Sequence, residues 1–173
     1  IPNKRIVDEF EDALPPPPPL PRARELSSAV SRVFGVASVS PAYILEPGLD
    51  QVMAKVPQLV GAWLQARPAA TFGVRVKRVD KRFPLDSMAL GRELGARILA
   101  DHPTLGVDLE TPELRVGIEI RPESTYVYHE QLCGPGGLPN GVSGEVLGLL
   151  SGGIDSPVAL WAMMSRGLRV QAV

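Results

Sequence analysis

Residues 145–173 read Glu145-Val-Leu-Gly-Leu-Leu150, then Ser151-Gly-Gly-Ile-Asp-Ser156, then Pro157-Val-Ala-Leu-Trp-Ala-Met-Met-Ser-Arg166, then Gly167-Leu-Arg-Val-Gln-Ala-Val173. The apolar run Val146, Leu147, Leu149 and Leu150 predicts a strand. The Ser-Gly-Gly stretch predicts a loop, Val158 to Met164 a helix, and Leu168 to Val173 a second strand. Ser156 is expected to cap the helix, Pro157 to sit in its first turn and Gly167 to end it. A loop of this kind, opening onto a helix N-terminus, offers backbone N–H groups to a phosphate. Ser151, Gly152 and Gly153 would let the backbone approach a pyrophosphate closely, and Ser156 would add a hydroxyl. Asp155 cannot attract a bare phosphate by charge, so it either positions the loop or meets a magnesium ion. The plainer alternative is that Asp155 and Ser156 only cap a helix. No lysine follows as in a Walker A loop, and the Gly-x-Gly-x-x-Gly spacing of dinucleotide folds is absent.

Upstream, 173 residues allow one well-buried core and a smaller unit. Hydrophobic residues at 45% and charged residues at 21% are ordinary for a soluble protein, and the one cysteine, Cys133, excludes an intrachain disulfide framework. A reducing, cytoplasmic setting is expected, with no membrane association, since no apolar run is long enough for a span and residues 1–20 lack a signal-like core. Residues 1–14 suggest a short charged helix, and Pro15 to Pro19 with Pro21 an extended polyproline stretch. A helix is expected over 25–36 and a strand over 38–44. Leu49, Val52, Met53, Val56, Leu59, Val60, Trp63 and Leu64 mark one buried helical face, which Pro57 should kink or restart.

Phe72, Val74 and Val76 alternate with Gly73, Arg75 and Lys77, the pattern of a half-buried strand. Asp86 or Ser87 should cap a helix carrying Leu90, Leu94 and Ile98. Short strands are expected at 106–109 and 126–128. A longer one alternates Leu114, Val116, Ile118 and Ile120 with Arg115, Gly117, Glu119 and Arg121. Helices covering a mixed sheet follow from this order. Residues 134–144 hold five glycines and two prolines, the composition of a hinge or of a loop with a task. Cys133 reads as a small buried apolar residue.

The net charge is −1, so nucleic-acid binding needs a local patch. Arg75, Lys77, Arg78, Lys81 and Arg82 supply one within eight residues. An ordinary solvated face is one reading of it; separation in sequence from the acidic segments 8–12 and 108–113 raises the case for contact with a phosphate backbone. Phe83 either stacks on an unpaired base or anchors the turn.

The six residues 151–156 resemble the pyrophosphatase-loop motif of ATP-dependent adenylating enzymes. The wider setting is narrower: Gly134-Pro-Gly-Gly-Leu-Pro139, Gly144, Val146 to Val158 and Met163-Met-Ser-Arg-Gly167 resemble the tRNA 4-thiouridine synthetases, also called thiamine-biosynthesis sulfur-transfer proteins. Phe34-Gly-Val36, Ser40-Pro-Ala42, Val79-Asp-Lys-Arg-Phe-Pro84, Gly95-Ala96 and Glu119-Ile-Arg121 resemble their RNA-binding THUMP domain. The resemblance covers about 33–173 and implies an α/β fold: a THUMP-like mixed-sheet domain over 33–133, a Gly/Pro hinge over 134–144, and over 145–173 the first β-loop-α-β of a truncated parallel-sheet ATP-pyrophosphatase domain. Residues 1–32 would be a remnant of an N-terminal ferredoxin-like domain with a proline-rich linker.

The resemblance further implies a tRNA sulfurtransferase. It would adenylate the uridine at tRNA position 8 with ATP and Mg2+, then take sulfur from a persulfide-donating cysteine desulfurase, with a further role in thiamine thiazole supply. The implied site residues are Leu149, Leu150, Ser151, Gly152, Gly153, Asp155 and Ser156 toward ATP, with Asp155 also catalytic. Arg75, Lys77, Arg78, Lys81, Arg82 and Phe83 are the implied RNA contacts, and no dedicated metal-ligand set is assigned. A chain of this extent is expected not to turn over alone. The alternatives are a tRNA-binding module without chemistry and an adenylating enzyme of small molecules, which leaves 75–82 idle. The nearly all-apolar helix at 158–164 is expected to need cover, by docking on the middle unit, by a homodimer, or else by disorder.

Overall fold

The computed structural model describes residues 21–173, so the readings on 1–20 lie outside the described residues. The elements are α1 (Pro21–Val30), β1 (Ser38–Val39), β2 (Tyr43–Leu45), α2 (Leu49–Ala66), β3 (Thr71–Arg78), α3 (Ser87–Asp101), β4 (Gly106–Val107), β5 (Leu114–Ile120), β6 (Thr125–Tyr128), β7 (Leu132–Cys133), β8 (Glu145–Gly148), α4 (Asp155–Ser165) and β9 (Arg169–Ala172). A five-stranded mixed sheet runs in the order β2-β6-β5-β3-β4. β3 pairs parallel with both β4 and β5, while β6 pairs antiparallel with β5 and β2. Two small sheets flank it: β1-β7, antiparallel, and β8-β9, parallel. The α/β class and the mixed sheet expected from the sequence are therefore present.

The core lies between one face of the large sheet and two helices. α3 contributes Leu90, Leu94 and Ile98, the expected stripe, and Asp86 caps its start by accepting from the Ala89 N–H at 2.8 Å. That bond holds the Asp86 carboxyl below its usual range. α2 contributes Val52, Val56, Leu59, Val60 and Trp63. From the sheet come Phe72, Val116, Ile118, Ile120 and Val127, each almost wholly buried. Fully burying side chains of this size stabilises by roughly 1.5–3 kcal/mol each, before the entropy of ordering is subtracted.

Five local expectations change. α2 runs unbroken through Pro57, which is itself buried. A mid-helix proline forfeits one hydrogen bond, and here the helix around it is held by the core face it buries. The segment 38–44 is not one strand: it divides at Pro41, which has no N–H to give a ladder, and its halves join different sheets. α1 stops at Val30 and gives way to turns in which Arg32 and Val33 bond three residues back. β4 ends at Val107 because Asp108 turns the chain, its Oδ1 accepting from the Glu110 and Thr111 N–H groups. Cys133 is exposed at the end of β7, not buried.

One polar cluster borders the core. The Trp63 ring lies 4.5 Å from His129 and 6.0 Å from Tyr43, centroid to centroid. Burial lowers the His129 pKa below its ordinary 6.5, with Arg24 and Arg67 adding to the effect and Glu130 opposing it. Glu130 is itself paired with Arg24 at 2.7 Å. A histidine held neutral by folding contributes stability that is fully present above its unfolded pKa and lost as pH falls toward the folded one. The thermal midpoint should fall when pH drops from about 7.5 to about 5.5, and His129→Phe should fall less over the same interval. Identical pH dependence in the two proteins, followed by circular dichroism, would show that His129 does not carry the effect.

Candidate phosphate loop and nucleic-acid interface

β8 ends at Gly148, so Leu149 and Leu150 begin the loop instead of closing the strand. The Leu150 N–H still reaches the Val173 carbonyl at 2.7 Å, which holds the mouth of the loop beside the end of β9. Ser156 does not cap α4. The helix begins two residues earlier than that cap implies, at Asp155, with Ile154 at the cap position and no side-chain cap bond. The Ser156 hydroxyl turns back and closes the loop: Oγ accepts from the Ser151 N–H at 3.0 Å and lies 3.0 Å from Ser151 Oγ and 3.2 Å from its carbonyl. Gly153 N–H approaches Ser151 Oγ at 3.4 Å.

The two loop glycines are not demanded by their own surroundings. Neither has a positive φ. A Cβ at Gly152 would meet nothing within 4 Å, and one at Gly153 would meet only Ser151 Oγ at 3.6 Å. The loop is thus open in front of a helix N-terminus whose first N–H groups lack a side-chain acceptor. At the other end of α4, Gly167 has φ +85° and gives its N–H to Met164 O, while Leu168 N–H reaches Met163 O. That is the expected glycine termination.

Residues 134–144 are tied on both sides. Gly35 N–H donates to Gly136 O at 2.7 Å, Gly136 N–H to Val36 O, and Gly134 N–H to Ala37 O. Leu138 N–H donates to Ser165 O, and Ser143 N–H to Gly167 O, both at 2.9 Å. A Cβ at Gly137 would stand 2.2 Å from Ser165 O, so glycine is required for this approach. The Phe34 ring meets Trp161 of α4 edge-on at 5.6 Å. Leu160 crosses β8 at Gly148, where a Cβ would collide with it. The apolar helix is therefore partly covered within its own chain, although Ile154, Val158 and Trp161 stay exposed.

The basic ridge divides. Arg78 is on the helix-covered side and gives its guanidinium to the carbonyls of Phe83 and Leu85. Phe83 is buried in the core and anchors that turn. Arg82 makes two 3.0 Å bonds to Asp80, which keep the Asp80 carboxyl below its usual range. Lys77 pairs with Glu119 at 3.3 Å. Arg75 is exposed but donates to Leu109 O at 3.0 Å, so the acidic segment 108–113 borders the ridge instead of lying apart from it. Parallel pairing of β3 with β4 causes this. Lys81 is exposed and has no ion-pair partner among the described residues.

Sequence reasoning did not single out Arg115, Tyr126 or Tyr128. Register places Tyr128 beside Gly117 and Arg75, and Tyr126 beside Glu119 and Lys77, on the face away from the helices. The signal available was the alternation itself, which put Arg115, Gly117 and Glu119 on one face of β5.

Two family models match the chain: the THUMP domain over residues 48–130, and Thiamine biosynthesis protein (ThiI) over 141–173. A "Probable tRNA sulfurtransferase" of Brevibacillus brevis is 46% identical over 144 residues, covering 83% of this chain and 36% of that protein. One from Macrococcus caseolyticus is 43% identical over 151 residues, covering 87% of this chain and 37% of that protein. The crystal structure of a 4-thiouridine synthetase–RNA complex with bound ATP superposes with TM-score 0.72 at 32% identity, over 85% of this chain and 38% of that one. Over most of its own length the chain is similar to tRNA sulfurtransferases. It spans little more than a third of the length of the curated relatives it matches. PH1313 from Pyrococcus horikoshii Ot3 superposes with TM-score 0.79 at 32% identity, over 87% of this chain and 49% of that one. The order of the two matched segments follows that of the sulfurtransferases, with the sheet unit before the loop.

The loop closure makes a direct prediction. Ser156→Ala removes the acceptor of the Ser151 N–H, and a bond worth about 1 kcal/mol should speed exchange of that amide roughly fivefold. Amide exchange by NMR checks it, with Gly106, bonded to the Ala70 carbonyl in the other sheet, as the unaffected reference.

Proposed function

We propose that this chain forms the RNA-holding unit and the phosphate loop of an ATP-dependent tRNA sulfurtransferase, which makes 4-thiouridine at tRNA position 8. The observation that carries the reading is the pairing, in one chain, of a side-chain-uncapped helix N-terminus behind an open Ser-Gly-Gly loop with a one-sided sheet unit bearing exposed cations. The likeness to a synthetase described with RNA and ATP supports it. On this reading 33–133 is the THUMP unit, 134–144 the connector and 145–173 the start of the nucleotide domain. The remaining assignments follow the family: a cytoplasmic setting, sulfur from a cysteine desulfurase, and a share in thiamine thiazole supply.

The loop residues fit a nucleotide. The N–H groups of Gly152 and Gly153 and of the first turn of α4 would bind phosphate oxygens, and no Cβ blocks their approach. The Ser151 and Ser156 hydroxyls, already in contact, would orient the loop and each offer a further bond. Leu149 and Leu150, both exposed, would line the mouth and limit water. ATP supplies the adenylyl group that turns the uridine 4-oxygen into a leaving group. Asp155 is exposed at the first helical position and would hold Mg2+ jointly with the phosphates, the usual way this ion binds. Among the described residues no group of three acidic, histidine or cysteine side chains could hold a metal by itself.

RNA contacts then fall to Arg75, Lys77 and Lys81, since Arg78 and Arg82 serve their own turn. Such contacts position the substrate and take no part in bond making.

Two measurements test this. In the whole protein, Asp155→Ala should lower tRNA-dependent pyrophosphate release on the order of a hundredfold while tRNA affinity holds. Collapse of tRNA affinity with normal pyrophosphate release would reverse the roles. Lys77→Gln with Lys81→Gln should weaken tRNA binding and flatten its logarithmic salt dependence by about one unit per lost contact. Arg78→Gln with Arg82→Gln should instead lower the melting temperature more than it changes the salt slope, and an equal slope change in both pairs would show that all four residues touch RNA.

A further inference from the structure

The segment from β8 to β9 meets the rest of the chain along a seam of hydrogen bonds. Three successive carbonyls at the end of α4 accept from the connector: Ser165 O from the Leu138 N–H at 2.9 Å, Arg166 O from the Ser143 hydroxyl at 2.8 Å, and Gly167 O from the Ser143 N–H at 2.9 Å. The connector is held in its turn by residues 33–37, where Gly35 N–H donates to Gly136 O and Gly136 N–H to Val36 O. A Cβ at Gly35 would stand 2.9 Å from the Pro139 ring, so the two stretches are in close contact there. Beyond the seam the segment holds together as one body: β8 and β9 are paired, and Leu160 of α4 lies against β8 at Gly148.

The phosphate loop is at the far end of this body. α4 has 11 residues, so its start lies about 16 Å from the seam at about 1.5 Å per residue. Rotation of the body by about 5° about the seam would carry the loop by about 1.4 Å at that length. Misplacement of this size can cost on the order of a hundredfold in rate. A second contact nearer the loop resists such a rotation. Trp161, one helical turn before Ser165, supplies it by meeting the Phe34 ring edge-on with centroids 5.6 Å apart. Phe34 stands on a firm base, because Val36 N–H bonds to Val33 O within the turn and Gly35 bonds to the connector. Neither ring belongs to the buried core, and Trp161 is 51% exposed.

We propose that Phe34 and Trp161 are positioning residues, whose ring contact fixes the tilt of the phosphate loop relative to the sheet unit. The role rests on the reading that the loop holds ATP for tRNA thiolation, and it gives the pair no part in binding either substrate. Distances between two spin labels test the brace on the 173-residue chain, with Cys133→Ser removing the native thiol and labels on Met88→Cys in α3 and Ile154→Cys at the loop, both exposed sites. Phe34→Ala should broaden the distance distribution about twofold, and Phe34→Tyr, which keeps the ring, should leave it as it is. In the whole protein, Phe34→Ala should lower the single-turnover rate of 4-thiouridine formation by about tenfold, with the KM for ATP and the Kd for tRNA within about twofold and Phe34→Tyr near the unaltered rate. A single-turnover rate constant counts only folded, loaded molecules, so mere loss of stability would not move it. Trp161→Leu should reproduce both effects, and it decides the matter if Phe34→Ala fails to fold by circular dichroism. Unchanged distance distributions in both variants overturn the brace. Broadened distributions with an unchanged single-turnover rate overturn the positioning role. An unaltered whole protein that makes no 4-thiouridine overturns the functional reading and the positioning role with it, while the distances still decide whether the brace exists.

Discussion

One face of β5 must be covered, and the rest of the molecule is arranged around that need. Val116, Ile118 and Ile120 are at most 1% exposed, pressed under Leu90, Leu94 and Ile98 of α3 and the Trp63 side of α2. Among the described residues α2 and α3 cover this face of the sheet. The uncovered face can therefore hold side chains that a core would refuse: Arg75, Lys77, Arg115 and two tyrosines. The packing that stabilises the unit and the cation-bearing surface it leaves open are two sides of the same strands.

The same economy governs the connection to the phosphate loop. Residues 134–144 are rich in glycine, yet their backbone bonds both to the turn at 35–37 and to the end of α4. Gly137 and Gly134 sit where a Cβ would strike the Ser165 and Val36 carbonyls, so their role is close approach. With Phe34 against Trp161, these contacts hold the β8-loop-α4-β9 segment against the sheet unit. On the function proposed above, such a fixed spacing would help bring one base of a large RNA to one loop, because misplacement by about 1 Å can cost on the order of a hundredfold in rate.

Charge counted along the chain differs from charge available at the surface. Five cations within 75–82 read as one ridge, but Arg78 and Arg82 satisfy carbonyls and a carboxylate within their own turn. Lys77 is exposed, but its partner Glu119 is half-buried and pairs with Arg121 as well. Arg115, isolated in sequence, joins the surface only through its strand.

The periodicities legible in the sequence were those set by local geometry. The 3.6-residue stripes of α2 and α3, the alternation of β3 and β5, the Asp86 cap and the Gly167 stop depend on neighbours within a few residues. The glycine loop and its family likeness were readable for the same reason, being contiguous. What no local pattern holds is the pairing of distant segments. Burial of Phe83, exposure of Cys133, the split of 38–44 between two sheets and the return of 108–113 to Arg75 each follow from that pairing. So do the continuity of α2 through Pro57, which the core sustains, and the turning of Ser156 back to Ser151. The sequence by itself determined which residues each helix and strand would turn inward, because side-chain direction repeats with the backbone. Only the tertiary structure decided which outward residues would meet, because register between strands is settled by burying all the inward faces at once.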